Sequence, residues 1–183
     1  MTRIWITAIL LLNIICGGCD QYATEEQNNP LFGLGVPATD TLIRKWDDDV
    51  RPDGKGFPAG EGDARSGKIV YSQKCASCHG ANADDNTFGK LVSLPGDTSK
   101  SKSVGSYWPY ASTVFDYIRR AMPFNAPGSL TNDEVYGLTA FILAGNSLIP
   151  DTVVLDASVI PKIQMPAMRK FVPDDRNGGF EVR

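Results

Sequence analysis

Three stretches of the chain carry apolar residues at helical spacing, and they set the expected fold. Over 64–74, Gly67 and Tyr71 fall four apart on one face, behind an Asp63 suited to cap the first turn. Over 113–121, Val114, Phe115, Ile118 and Ala121 share a side, with Ser112 as the expected cap. Met122-Pro123 should stop that helix, because proline cannot continue the ladder and disfavours helix in the residue before it. Over 135–144, Val135, Leu138 and Ile142 form one stripe; Thr131-Asn132-Asp133-Glu134 reads as a capping box, and Gly145 is placed to close the helix. A shorter helix is expected over 39–46, where Asp40 and Thr41 offer a cap ahead of Leu42, Ile43 and Trp46.

The intervening segments lack such a period. Residues 47–62 hold too many glycines and prolines for regular structure, which leaves an ordered loop and a plain linker as open readings. Residues 80–105 are polar with a small apolar knot at Phe88, Leu91, Val92 and Leu94, and read as a wrapping loop with no helix beyond a turn or two. The last segment contains four prolines and reads as an extended tail packed through Val153, Val154, Leu155 and Ile160. At the other end, Arg3 precedes an apolar run, 4–15, broken only by Thr7 and Asn13. That run is short for a membrane span and is expected to be an export signal. The expected division is therefore 1–18 signal, 19–38 tether, 39–62 N-terminal extension, 63–148 one all-α domain, and 149–183 C-terminal tail. No internal repeat is visible.

The full chain has 183 residues, about one domain once a signal is removed, and a formal net charge of −3. This balance argues against nucleic acid as a partner and predicts no basic membrane-binding face.

Chemistry enters at Cys75-Ala76-Ser77-Cys78-His79. Two thiols two residues apart, directly before an imidazole, form the pattern for covalent attachment of a c-type haem. Two thioether bonds hold the two vinyl edges of the porphyrin, and the adjacent His reaches the iron from one face. His79 is the only histidine, and no second Cys-x-x-Cys exists, so neither a His-rich nor an all-thiolate zinc site can be completed. A redox-active dithiol is the residual alternative.

The other face of the iron must then take a methionine, a water or nothing. Met1 is lost with the signal and Met168 has no local support. Met122, just past a helix and before a proline, is the favoured ligand; Met165, also followed by proline, is its competitor. Any single methionine also has the plain reading of core filler. A thioether favours Fe(II), raises the reduction potential and leaves no open site for oxygen or peroxide.

The remaining thiols bear on location. Cys16 lies in the signal, and Cys16-Gly17-Gly18-Cys19-Asp20 leaves two endings open: cleavage before a lipidated Cys19, as in bacterial lipoproteins, or ordinary cleavage near Ala23 with no anchor. An oxidising compartment would join Cys75 to Cys78 unless a reductant intervened before haem attachment. The expected location is the periplasm.

A helix with Gly67-x-x-x-Tyr71, the haem motif, and Met122-Pro123 before a last amphipathic helix resemble class I cytochrome c. The resemblance implies three main helices around one covalent haem c, the first and last crossing through Gly67 and Tyr71 against Tyr136 or Ala140. Three stretches bring the chain closer to the cytochrome subunit of bacterial sulfur and sulfite dehydrogenases of the thiosulfate-oxidising Sox system. They are Trp46-Asp47-Asp48-Asp49-Val50-Arg51-Pro52-Asp53-Gly54; Gly105-Ser106-Tyr107-Trp108-Pro109-Tyr110 running on through Phe115 to Leu130; and Pro161-Lys162-Ile163-Gln164-Met165-Pro166. That likeness implies long ordered N- and C-terminal extensions, an ordered 46–62 loop, a molybdenum-cofactor partner subunit of the sulfite oxidase family, and a downstream electron acceptor. The chain departs from class I cytochromes where Gly89 is followed by Lys90 rather than proline, which puts the usual imidazole acceptor in doubt and leaves Pro95 or another backbone carbonyl as the candidate. It also departs where Ala167 follows Met165-Pro166 in place of asparagine.

Tyr107, Trp108 and Tyr110 are expected to pack on the haem edge, an indole N–H or phenol O–H reaching a propionate. Arg119 and Arg120 are open between propionates, a partner's acidic rim and a solvated helix end where cations suit the dipole. Besides a cytochrome subunit that carries electrons and does no bond chemistry itself, two rivals stand: a free-standing periplasmic shuttle and a haem enzyme with an open distal site.

Overall fold

The computed structural model describes residues 35–93 and 101–172. The expected signal, the tether up to residue 34 and Cys19 lie outside the described residues, as do Pro95 and the end of the tail. The chain divides into two compact units, Met1–Asp47 and Asp48–Arg183. In the first, α1 (Asp40–Trp46) is a short helix that buries none of its residues. Thr39, one residue earlier than expected, is its cap: Leu42 N donates to Thr39 Oγ1 at 3.2 Å.

The second unit is all-α among its described residues. Its elements are α2 (Ala64–Lys74), the single turns α3 (Ala76–His79) and α4 (Val104–Tyr107), α5 (Ala111–Ala121), α6 (Asn132–Gly145), and 3-10 turns at Ile160–Lys162 and Pro166–Lys170. Asp63 caps α2 as expected, in a reciprocal box with Ser66: Ser66 N donates to Asp63 Oδ1 at 2.7 Å and Asp63 N donates to Ser66 Oγ at 3.2 Å. The same box forms at Thr131 and Glu134 ahead of α6.

The two boxed helices cross backbone to backbone. A Cβ built on Gly67 would land on the Gly137 carbonyl and lie 2.9 Å from Leu138 N. Gly137 is therefore the residue across from Gly67, in place of the expected Tyr136 or Ala140, because only two glycines let helices approach this far. Tyr71 packs on Phe141 (ring centroids 4.8 Å). Tyr136 turns the other way, onto Phe115 at 4.6 Å and Phe57 at 6.3 Å, and its hydroxyl donates to the Pro58 carbonyl at 2.8 Å. Phe115, Val135, Tyr136, Leu143, Leu155 and Ile160 are all enclosed in this core.

Residues 48–62 are an ordered loop laid on α5 and α6. Val50 N donates to Asp116 Oδ1 (3.0 Å), Arg119 Nη1 to Asp48 O (2.6 Å), Asn132 Nδ2 to Ala59 O (2.9 Å), and Glu61 N to Asp133 Oδ1 (2.9 Å). Gly56, at φ +90°, lies against the Asp49 backbone where no side chain fits.

Three local expectations fail. Ser112 is not a cap: α5 begins one residue before it, Tyr110 stands at the cap position without a side-chain bond, and Ser112 Oγ is buried without a partner. Gly145 stays inside α6, and Asn146 closes the helix instead. Its amide also pins the loop, with Ser93 N (3.1 Å) and Ser103 Oγ (2.8 Å) donating to Oδ1, and Nδ2 donating to Leu91 O (2.9 Å) and Ile142 O (2.8 Å). In the tail, Leu155 pairs with Gly62 as an isolated antiparallel bridge. That extended geometry turns Leu155 and its neighbour Val154 to opposite sides, so Leu155 is buried and Val154 is 48% exposed.

Candidate haem site

The five-residue motif starts where α2 ends. Cys75 N donates to Tyr71 O (2.9 Å), Cys78 N and His79 N both donate to Cys75 O (3.1 Å each), and Gly80 N closes the turn on Ala76 O (3.0 Å). Gly80 has φ +78°, and a Cβ there would sit 2.9 Å from Asp85 Cβ, so glycine is needed on both counts. The two thiols are uncombined, Cys75 half-buried and Cys78 exposed. Burial pushes the Cys75 thiol up to about 11. His79 is half-buried, and its Nδ1 is enclosed with no partner among the described residues. The ring thus faces protein with Nδ1 and keeps Nε2 for a ligand. Close by, Asp85 Oδ1 accepts from Thr87 N at 2.7 Å. The bonds to Thr87, and to a lesser degree the nearby His79, hold its carboxyl below the usual range.

Ahead of the motif, Lys74 Nζ and Glu134 Oε1 are 2.6 Å apart, tying the end of α2 to the start of α6. Lys74 first, then the Thr131 backbone N–H, lowers the Glu134 pKa against a desolvation penalty.

Met122 is half-buried at the C-terminal end of α5, in extended conformation, with its N–H on Ile118 O at 3.2 Å. Its peptide bond to Pro123 is cis. Met165, at 2% exposure, belongs to the hydrophobic core; Met168 is 50% exposed. A cavity of about 330 Å³ is lined by Gln164, Met165, Pro166, Met168 and Arg169, and none of Cys75, Cys78, His79 or Met122 borders it. Of the two competing methionines, Met122 is the one that protein leaves partly open.

Trp108 stands edge-on to Tyr117, centroids 5.5 Å apart, and Lys102 Nζ lies 4.8 Å from the centre of the exposed Tyr107 ring. Tyr110 is bridged to Gln164 of the tail. Arg119 and Arg120 hold the 48–50 loop: Arg119 reaches Asp48 O, and Arg120 Nε lies 2.9 Å from Asp116 Oδ1, the oxygen that also accepts Val50 N. Sequence reading offered propionates, a partner or solvent for these arginines and missed this loop. It also missed the Tyr71 hydroxyl, which donates to the Gly80 carbonyl at 2.6 Å. No hydrophobic period or motif carries either contact.

Comparison with known proteins gives the family of the chain. Residues 62–142 match the family model described as cytochrome c oxidase, cbb3-type, subunit III. In the crystal structure of the sulfane dehydrogenase SoxCD from Paracoccus pantotrophus, one chain is similar over 79% of this chain and 73% of its own, with 39% identity and a TM-score of 0.66. The chain belongs to the cytochrome c family. This cytochrome is also 31% identical to a thiosulfate dehydrogenase of Psychrobacter arcticus, over 50% of this chain and 30% of the relative. It is 27% identical to a thiosulfate dehydrogenase of Allochromatium vinosum, over 45% of this chain and 32% of the relative. The cytochrome spans about a third of the length of those two enzymes.

The family's cofactor is a covalently bound haem c, and this cytochrome has one Cys-x-x-Cys-His for one haem. The residues present fit it: two uncombined thiols flank one turn, and the following imidazole buries one nitrogen only. Among the described residues no group of three or more His, Cys, Asp or Glu side chains could hold a metal ion. No described helix is long and apolar enough to cross a membrane.

Proposed function

We propose that this cytochrome is an exported, periplasmic electron-transfer subunit. It accepts electrons from a molybdenum-cofactor dehydrogenase subunit acting on a sulfur compound and passes them to a downstream carrier. Cys75 and Cys78 would carry the thioether bonds of a covalent haem, and His79 and Met122 would ligate its iron, with Met165 the alternative to Met122. The bound haem supplies a one-electron change between Fe(III) and Fe(II). The protein's part would be to hold His79 and Met122 so that a bound iron is left no open site, and to set the approach of the haem edge. Trp108 and Tyr107 are proposed to pack on that edge. Export follows from the 4–15 apolar run, and Cys19 is proposed as the site of a lipid anchor.

The observation that carries this reading is the 39% identity to a SoxCD chain across most of both chains. Purification from the native host tests it. The cytochrome should bring down a molybdenum protein, and a reduced sulfur compound should reduce its haem only in that complex. Purification alone, with no molybdenum in the fraction, would contradict it and favour a free-standing shuttle.

The thiosulfate dehydrogenase relatives favour a second reading, a haem enzyme with an open distal site. Met122→Ala beside Met165→Ala separates the two. Loss of the methionine-to-iron charge-transfer band in the Met122 variant alone supports the carrier. Loss in the Met165 variant alone moves the ligand, and absence of the band from the parent protein supports the enzyme.

A further inference from the structure

Tyr71 holds the haem motif at both ends. Its backbone carbonyl accepts from Cys75 N at 2.9 Å, and its hydroxyl donates to the carbonyl of Gly80, the residue directly after His79, at 2.6 Å. The ring that carries the hydroxyl is fixed from behind by Phe141 of α6, and the residue is 2% exposed. Burial accordingly pushes the phenol up to about 12, so it remains a donor across the working pH range. Gly80 is held on its other side as well, with its N–H on Ala76 O and its carbonyl also accepting from Ala83 N at 3.3 Å.

Among the described residues no hydrogen bond restrains the His79 ring, whose Nδ1 is buried without a partner there. What the described residues do fix is the backbone on either side of it, through Cys75 before it and Gly80 after it. We propose that Tyr71 is a positioning residue for the iron ligand: through the Gly80 carbonyl its hydroxyl sets the orientation of the His79 ring, beyond its packing role in the helix crossing. This rests on the reading of His79 as an axial ligand.

The test uses the haem-loaded protein in its oxidised state and proton NMR. The four haem methyl resonances spread according to the plane of the axial imidazole, so they report ring orientation, and the shifted ring protons of His79 report ligation. Tyr71→Phe removes one oxygen and keeps the ring. The expected result is retained haem with a redistributed methyl pattern and a shifted reduction potential. Leu155→Ala, a core change at the tail bridge to Gly62, should lower the thermal midpoint and leave both the pattern and the potential unchanged. A Tyr71→Phe pattern superimposable on the parent overturns the inference, as does a Leu155→Ala variant that moves the pattern equally. The parent protein alone gives one further check: the Tyr71 hydroxyl proton should be protected from exchange, and exchange at the bulk rate overturns the inference. If the parent shows no shifted His79 ring protons, the ligand reading falls, and the role of Tyr71 falls with it.

Discussion

Alanine at Gly67 and alanine at Gly137 look equivalent on paper, since both add one methyl at the same helix crossing. The geometry separates them. A Cβ on Gly67 lands on the Gly137 carbonyl, a backbone atom of the opposite helix that no rotamer change can move. A Cβ on Gly137 meets Gly67 N at 3.0 Å and Ser66 Oγ at 3.1 Å, which a shift of a few tenths of an ångström relieves. Overpacking a tight core costs about 1–3 kcal/mol, and the Gly67 site belongs at the top of that range. Each substitution recovers about 1 kcal/mol, the advantage of alanine over glycine inside a helix. Gly67→Ala should therefore destabilise by about 2 kcal/mol, and Gly137→Ala by about zero. At about 2–4 °C per kcal/mol, the thermal midpoints should differ by roughly 4–8 °C. Thermal and urea unfolding of the two haem-loaded variants, side by side, measure this. Midpoints that coincide, or a Gly137 variant that is the weaker, would refute the crossing described above.

Two further outcomes are expected. Asn146→Ala removes four hydrogen bonds and leaves Ser93 N and Leu91 O to find other partners; it should cost about 2–4 kcal/mol in urea unfolding and speed exchange of the Ser93 amide. Glu134 is held below its ordinary value of 4.5 in the fold. Its contribution is then complete above about pH 4.5 and lost as pH falls through the lower folded value, so stability should drop on acidification. With Lys74 36% exposed the pair is worth about 0.2–1 kcal/mol, and Glu134→Gln should flatten the acid limb of a stability–pH curve by that amount. An unchanged limb would remove the pair from the account.

What was legible in the sequence is what is written within three or four residues. The Asp63 cap, the Thr131–Glu134 box and the helix 64–74 are local, because each bond joins residues three or four apart, and the structure has them as expected. The Cys75-x-x-Cys78-His79 pattern is legible for the same reason, since its five residues are contiguous. Contacts that depend on how helices meet are not encoded locally. That Gly67 faces Gly137 rather than Tyr136 or Ala140 is a matter of register between elements. So are the reach of Arg119 to Asp48 and the bond from Tyr71 to Gly80. Ser112 was a plausible cap by type, but its side chain is enclosed in the core and the helix starts before it. Gly145 suited a helix end, yet the amide of Asn146 satisfies more backbone groups there than a glycine turn would. The 48–62 loop could not be told from a linker by composition; the bonds joining Val50, Ala59 and Glu61 to α5 and α6 are what order it.

The central proposal is that His79 and Met122 would both hold the iron of a bound haem, leaving it open to electrons and closed to ligands. Its most direct measurement is the visible spectrum of the exported protein, first oxidised and then reduced under carbon monoxide. The account predicts a low-spin spectrum, a weak methionine charge-transfer band at the red end when oxidised, and a reduced spectrum that carbon monoxide leaves unaltered. A high-spin spectrum, or immediate conversion to the carbon monoxide complex, would contradict it.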